Sequence, residues 1–205
     1  MADYFFEPQQ GHGLAHDPFN SIIAPRPIGW ISSISNAGQV NLAPYSFFNL
    51  FNYKPPIIGF ASTGWKDSVQ NIAEQGEFCW NLVNRPLVEA MNQTSASVAA
   101  DVNEFALAGL TMAASKLIKP PQVAESPVRF ECKLSQLIPL QAANGEQVPT
   151  WLVLGEVVGV HIASSLLIDG VYDTLAAGPV LRAGGPGDYY TLNAANKFSL
   201  LRPKT

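Results

Sequence analysis

RPIGWISSISNAGQVNLAPYSFFNLFNYKPPIIGFASTGWKDS, residues 26–68, sets the reading of the whole chain. Three β-type runs, Ile28–Ile34, Val40–Leu42 and Ile57–Ala61, are separated by polar breaks marked by Gly and Pro. The first break, Asn36-Ala37-Gly38-Gln39, has hairpin chemistry, because Asn and Gly tolerate the positive φ of a tight turn. The second, Pro44 to Asn49, reads as a loop that crowds Tyr45, Ser46, Phe47, Phe48 and Asn49 together. Rings beside a hydroxyl and an amide suit a flat heteroaromatic ligand with polar edges. The third loop, Ser62 to Ser68, offers hydroxyls, backbone N–H groups and Lys66, the donors that a phosphate monoester takes. Core packing and a plain solvated turn are the competing explanations of these two loops.

Outward from this stretch the pattern stays β-rich. Val69 to Gln75 reads as a helix that Asp67 or Ser68 can cap and Gly76 can end. A phosphate near its start would also gain from the helix dipole. Glu77–Val83 alternates as a strand, Pro86–Thr94 reads as a helix, and Asp101–Phe105 can open a short one that ends at Gly109. Val128–Pro139 and Trp151–Ile162 are long strands flanking the turn signal Asn144-Gly145. Gly155 and Gly159 inside the last strand predict bulges or close backbone approach. The tail, with Gly184-Gly185-Pro186-Gly187, is loop-rich. Six or seven strands with two or three short helices predict a mainly β fold, a β-barrel with helical excursions. The strand count alone suits an OB-like barrel or a β-sandwich equally well.

The chain of 205 residues suits one domain, here residues 20–205, behind a weakly patterned arm, 1–19. His12 and His16 in the arm are four apart, but Gly11, Gly13 and Pro18 speak against a helix that would align them on a metal, and no metal site is expected. The apolar fraction is 47% and the charged fraction 14%. Average charged usage is about 25%, so part of the surface is expected to be buried against another subunit. A net charge of −4 without any basic run speaks against nucleic acid. Cys79 and Cys132 form neither a CxxC nor a zinc spacing. No signal-peptide pattern and no membrane-length apolar run is present, which predicts a cytoplasmic protein without a membrane partner. No G-x-S-x-G, H-E-x-x-H or Rossmann fingerprint occurs, so any redox chemistry would be carried by a cofactor.

The runs PRPIGWISSIS, VNLAPYSFFN, PPIIGFAS and KDSVQNI, followed by GEFCWNLV, VNEFALAGLT, ESPVRFECKL, LVLGEVVGVHI and LRAGGPGDYY, resemble the flavin reductase-like family of FMN-binding split β-barrels. The likeness runs from about Asn20 to Tyr190. It implies a Greek-key split barrel, a bound FMN, NADH or NADPH as co-substrate, and a homodimer with its sites near the interface. Ala43, Tyr45, Ser46, Phe47 and Asn49 would line the isoalloxazine, and Ser62, Lys66 and Ser68 would hold the phosphate. Ser68 stands where family members often carry Thr, which keeps the hydroxyl. The implied activity is NAD(P)H:flavin oxidoreduction; the alternative is a non-catalytic FMN-binding protein of the same fold. Ser46 and His161 are the catalytic candidates, with His161 equally readable as a satisfied strand-end histidine. Asn81 can bond either a backbone edge or the flavin. Arg182 and Tyr189 can close over the flavin, or lie idle in the tail. Trp30 reads as core.

Overall fold

The computed structural model describes residues 2–203, in which one seven-stranded antiparallel sheet carries the fold. Its strands are β1 (Gly29–Ile34), β2 (Val40–Tyr45), β3 (Phe48–Tyr53), β4 (Pro56–Thr63), β5 (Glu77–Asn81), β6 (Val128–Gln141) and β7 (Gln147–Ile162). They lie in the order β2-β1-β5-β6-β7-β4-β3. Within it β4-β7-β6-β5 is a Greek key. The two edge strands, β2 and β3, are joined by Ser46 and Phe47 alone, so the sheet has to curl until its edges meet. The Ala61 N–H donates to the Phe47 carbonyl at 2.8 Å, and the Tyr45 and Phe60 rings pack 4.4 Å apart across the seam. No ladder joins β2 to β3, and the barrel stays split there.

The barrel interior holds Ile31, Tyr45, Ile58, Phe60, Phe78, Cys132, Val153 and Val157. The helix Asp67–Gln75 closes it with Val69 and Ile72, three apart and both fully buried. Gly76 ends that helix at φ 69°, a left-handed C-cap. Register slips fall beside Gly155 and Gly159, as the sequence predicts. At Gly155 a Cβ would lie 2.3 Å from the Phe78 ring, so only bare backbone fits. A second core covers the outer face of β1 and β2. There Trp30 and Leu42 pack under Met91 of the helix Val88–Gln93 and Phe105 of the helix Glu104–Leu107. Trp30 is core as read, its indole N–H donating to the Thr94 hydroxyl at 2.9 Å.

The predicted loop 44–49 is mostly strand. β2 runs through Pro44 to Tyr45, and Phe48–Tyr53 forms a strand the sequence reading lacked. Pro44 can stay in β2 because that strand is an edge, where a missing N–H costs no ladder bond. The helix predicted over Pro86–Thr94 begins as a 3-10 turn at Arg85–Leu87. The first helix is flanked by Lys66 at its N-cap position and has no side-chain cap from Asp67 or Ser68. Among the described residues no helix is long and apolar enough to cross a membrane.

Candidate functional site

A groove opens at the split. Its deeper part, about 440 Å³, is walled by β2 (Asn41 to Tyr45), the helix start Lys66-Asp67-Ser68, the strap Thr94–Val98 and Glu104. A smaller part, about 160 Å³, continues past Pro44, Tyr45 and Ser95 to Ser46, Arg182 and Tyr189. Of the candidates, Ala43, Tyr45, Ser46, Lys66, Ser68, Arg182 and Tyr189 thus line two adjoining pockets that share Pro44, Tyr45 and Ser95.

The chemistry differs along the groove. At the helix end, among the described residues, no side chain caps the first-turn amides of Asp67–Gln75 and the exposed Lys66 has no ion partner. Ser68 is buried, and its Oγ accepts from Asn41 Nδ2 at 2.7 Å, which leaves the hydroxyl proton free to turn. Ser97 lines the same end from the strap, whereas the Ser95 hydroxyl donates to the Asn92 carbonyl at 2.6 Å. This donor set fits a phosphate monoester. At the other end polar and apolar surface are about equal, with Ile28, Pro44 and Met91 lining it beside Ser46 and Tyr189. The Arg182 guanidinium stacks over Tyr189 at 5.2 Å and donates to the carbonyls of Ala183, Gly184, Gly185 and Asp188. Its head group therefore folds the Gly-rich tail into the wall of the groove and is not left free as a ligand donor.

Arg26, to which the sequence reading gave no role, holds the link between the barrel edges. It is buried, and its Nε donates to the Ser46 carbonyl at 3.2 Å. Its Nη1 donates to the carbonyls of Asn20 (2.6 Å) and Ile23 (2.5 Å), and its guanidinium lies 5.7 Å from the Phe47 ring centre. Burial, and then the neighbouring Arg182, lower its pKa. Burial likewise raises the pKa of Tyr45, whose hydroxyl has no hydrogen-bond partner. The hydroxyls of Ser68 and Ser62 lie close to it, short of bonding geometry.

Five predicted residues lie elsewhere. Ser62 is fully buried behind Tyr45, and its hydroxyl donates to the Gly64 carbonyl at 2.9 Å, so it is no phosphate donor. Asn81 is fully buried with its whole amide engaged. It donates to the Trp30 carbonyl and the Ser32 hydroxyl and accepts from the Val123 N–H. Of its two readings, the backbone edge is the one observed. Asn49 sits on exposed β3, with Oδ1 turned to the Leu50 N–H, and lines a separate apolar cavity with Phe48, Leu50, Tyr53 and Trp80. Phe47 is half-exposed outside the groove, beside Arg26. His161 is outside it too, its Nε2 2.6 Å from Glu131 Oε1. Glu131 is fully buried and also accepts from the N–H groups of Lys116 and Leu117 and from Gln122. Burial alone would raise its pKa, but these bonds overcome that and leave it lowered. The histidine is thus a strand-end residue tied to a structural carboxylate. Asn41, Glu104 and the strap hydroxyls are the groove residues that sequence reasoning missed, and the run Thr94-Ser95-Ala96-Ser97 after a helix was the available signal.

The model of the flavin reductase like domain matches residues 22–176. A relative from Halalkalibacterium halodurans, an uncharacterized protein, is 39% identical over 189 residues, covering 88% of this chain and 87% of the relative. Among solved structures, nitrilotriacetate monooxygenase component B from Bacillus cereus superposes with a TM-score of 0.86 at 30% identity, over 98% of this chain and 100% of that one. A protein with a split barrel domain from Shewanella frigidimarina superposes with a TM-score of 0.78 at 27% identity, over 90% and 89% of the two chains. On the family match, and with its mainly β split barrel, the chain belongs to the flavin reductase-like domain family.

Proposed function

We propose that the groove binds FMN and that the protein is an NAD(P)H-dependent flavin reductase. One observation carries the reading: two adjoining pockets that share Pro44, Tyr45 and Ser95 offer phosphate donors in one and Ser46 beside Tyr189 in the other. Lys66, the Ser68 hydroxyl and the first-turn amides would hold the phosphate. Pro44, Tyr45, Ser46 and Tyr189 would flank the ring system. FMN, when bound, supplies the redox chemistry, accepting a hydride from a nicotinamide. The chain's part is to bind and orient, and to set preorganised dipoles at the Ser46 end toward the charge that develops on reduction. Ring stacking for hydride transfer needs near-attack separations of about 3–3.5 Å, so the walls have to leave one face of the ring open. No side-chain acid or base is required for that step, which agrees with His161 lying outside the groove. The resemblance to a monooxygenase component supports onward delivery of reduced flavin to a second protein.

The reading includes a homodimer. The apolar cavity lined by Phe48, Leu50, Tyr53, Ile58, Trp80 and Val160, about 540 Å³, has Leu50, Tyr53 and Val160 exposed along it. A second copy covering this face would account for the low charged fraction. The decisive experiment pairs binding with reduction. K66A weakens FMN by about 1.5 kcal/mol, roughly tenfold, and leaves riboflavin unchanged, because Lys66 meets only the phosphate. NADH or NADPH bleaches the flavin band of the wild type anaerobically. Equal loss of both flavins in K66A refutes the phosphate assignment. Bound flavin that neither nucleotide bleaches leaves the non-catalytic reading in its place.

A further inference from the structure

The phosphate end of the groove carries more acid than base. Among its walls Lys66 is the one cation, and Asp67 and Glu104 are both carboxyls. Glu104 is buried at the start of a short helix, and its Oε2 accepts from the Leu42 N–H at 3.1 Å. No cation pairs with it, since the one ion pair among the described residues is His161–Glu131. The titratable groups packed around it are Tyr45 from β2, and Lys66 and Asp67 from the helix start; the strap Thr94–Val98 brings none. Two like charges at this range disfavour one another, and a phosphate dianion placed among them sharpens the conflict.

We propose that Glu104 is a charge gate for the phosphorylated flavin: FMN binds to the form of the protein in which Glu104 carries a proton. The inference rests on the FMN reading above. The balance is simple. The Glu104 carboxylate takes one proton from solvent, an O–H bond forms, the side chain becomes neutral, and no bond of the ligand breaks. The neutral acid can then donate toward the phosphate while its other oxygen keeps the Leu42 N–H. Burial raises the Glu104 pKa; its own N–H and that of Leu42 hold it down in part, and Asp67 raises it further. Protonation is therefore easier here than for a free carboxyl before an anion arrives. The gate makes the site selective for phosphate charge as well as flavin shape, with tighter FMN binding on the acid side.

The test compares wild type with E104Q, whose amide oxygen can still accept from Leu42. Dissociation constants for FMN and riboflavin are measured by flavin fluorescence from about pH 5 to about pH 8. Comparing two proteins cancels the titration of the FMN phosphate itself, whose second pKa is about 6. The expected ratio of wild-type to E104Q constants for FMN rises with pH, by up to about tenfold for each pH unit above the Glu104 pKa. For riboflavin it stays flat. D67N provides a check that leaves Glu104 in place. Removing the neighbouring charge lowers the Glu104 pKa, so the pH at which wild-type FMN affinity begins to fall moves down. A flat FMN ratio overturns the gate, as does an equal rise for riboflavin or an unmoved profile in D67N. Binding of neither flavin to any of the proteins overturns the FMN reading along with it.

Discussion

Arg26→Ala tests how the groove is held open at the split. The wild-type guanidinium makes three donations, to Asn20 O, Ile23 O and Ser46 O, and rests against Phe47. Each bond to a charged donor is worth about 1.5–3 kcal/mol taken alone. The sum overshoots, because burial and Arg182 already penalise the charge in the folded state, as its lowered pKa records. Ala also removes that repulsion and lets water reach the carbonyls at the surface side. The net loss is then about 2–3 kcal/mol. For a chain of this size each kcal/mol moves the melting temperature by about 2–4 °C, so the midpoint should fall by roughly 5–10 °C. Differential scanning calorimetry of flavin-free protein reads this directly. R26K should recover less than half of the loss, since an ammonium cannot span the fork geometry that reaches Asn20 and Ser46 together. FMN affinity should weaken in both variants, because the Ser46 carbonyl and the segment 46–47 lose their anchor. A midpoint within about 2 °C of wild type in R26A, or full rescue by Lys, would show that the carbonyls are served by something other than this guanidinium.

Tyr45→Phe removes a buried hydroxyl without a partner and should stabilise the flavin-free protein by about 1 kcal/mol; a lower urea midpoint would mean the hydroxyl is satisfied after all. Ser46→Ala should slow anaerobic flavin reduction by tenfold to a hundredfold, about 1.4–2.8 kcal/mol, while FMN still binds. His161→Ala should leave the reduction rate within about twofold, and stopped-flow bleaching that reverses this order refutes the role given to Ser46. Glu131 has a lowered pKa in the fold, so its contribution is complete above the unfolded carboxyl value and is lost as pH falls through the folded one. Glu131→Gln should cost about 2–4 kcal/mol at neutral pH, and the gap to wild type should narrow below about pH 4 in urea titrations; a constant gap would mean that the carboxylate is not the form the network needs.

Local chemistry was legible where the sequence punctuates it. Gly76 as a left-handed cap, the hairpin at Asn36–Gln39 and the slips at Gly155 and Gly159 follow from what single residues permit. The strand Phe48–Tyr53 was not legible, because the preceding Pro44, three aromatics and two asparagines disguise an exposed strand as a polar loop. Its identity comes from pairing with β4, a long-range choice that no local window reports. The site residues divide along the same line. Lys66 and Ser68 sit where a helix start must put them, so their place was readable. Ser62 and Asn81 failed as ligands because depth inside a curled sheet depends on which face of the strand turns inward. Residue type cannot settle that when both faces of the strand are buried. Arg26 and Glu104 were invisible because their partners, Ser46 and Leu42, lie twenty and sixty-two residues away.

The position of the groove follows from how the free edge of β2 is managed. An edge strand shows unpaired N–H groups on every second residue, and such edges invite other strands. On β2 the outward N–H of Leu42 is taken by Glu104, so by alternation the next outward position is Pro44, which has none. The edge is therefore silent from Leu42 to Pro44. The next outward position is Ser46, just past the strand end, whose carbonyl is already claimed by Arg26. A flat ligand seeking backbone donors on this edge meets them at Ser46, in the pocket that Ile28, Met91 and Tyr189 also line. The same carboxyl that blunts the edge at Leu42 also faces the phosphate end of the groove. Changing Glu104 therefore bears on edge pairing and on anion binding together, and E104Q separates the two: it keeps the acceptor that silences Leu42 and removes only the charge.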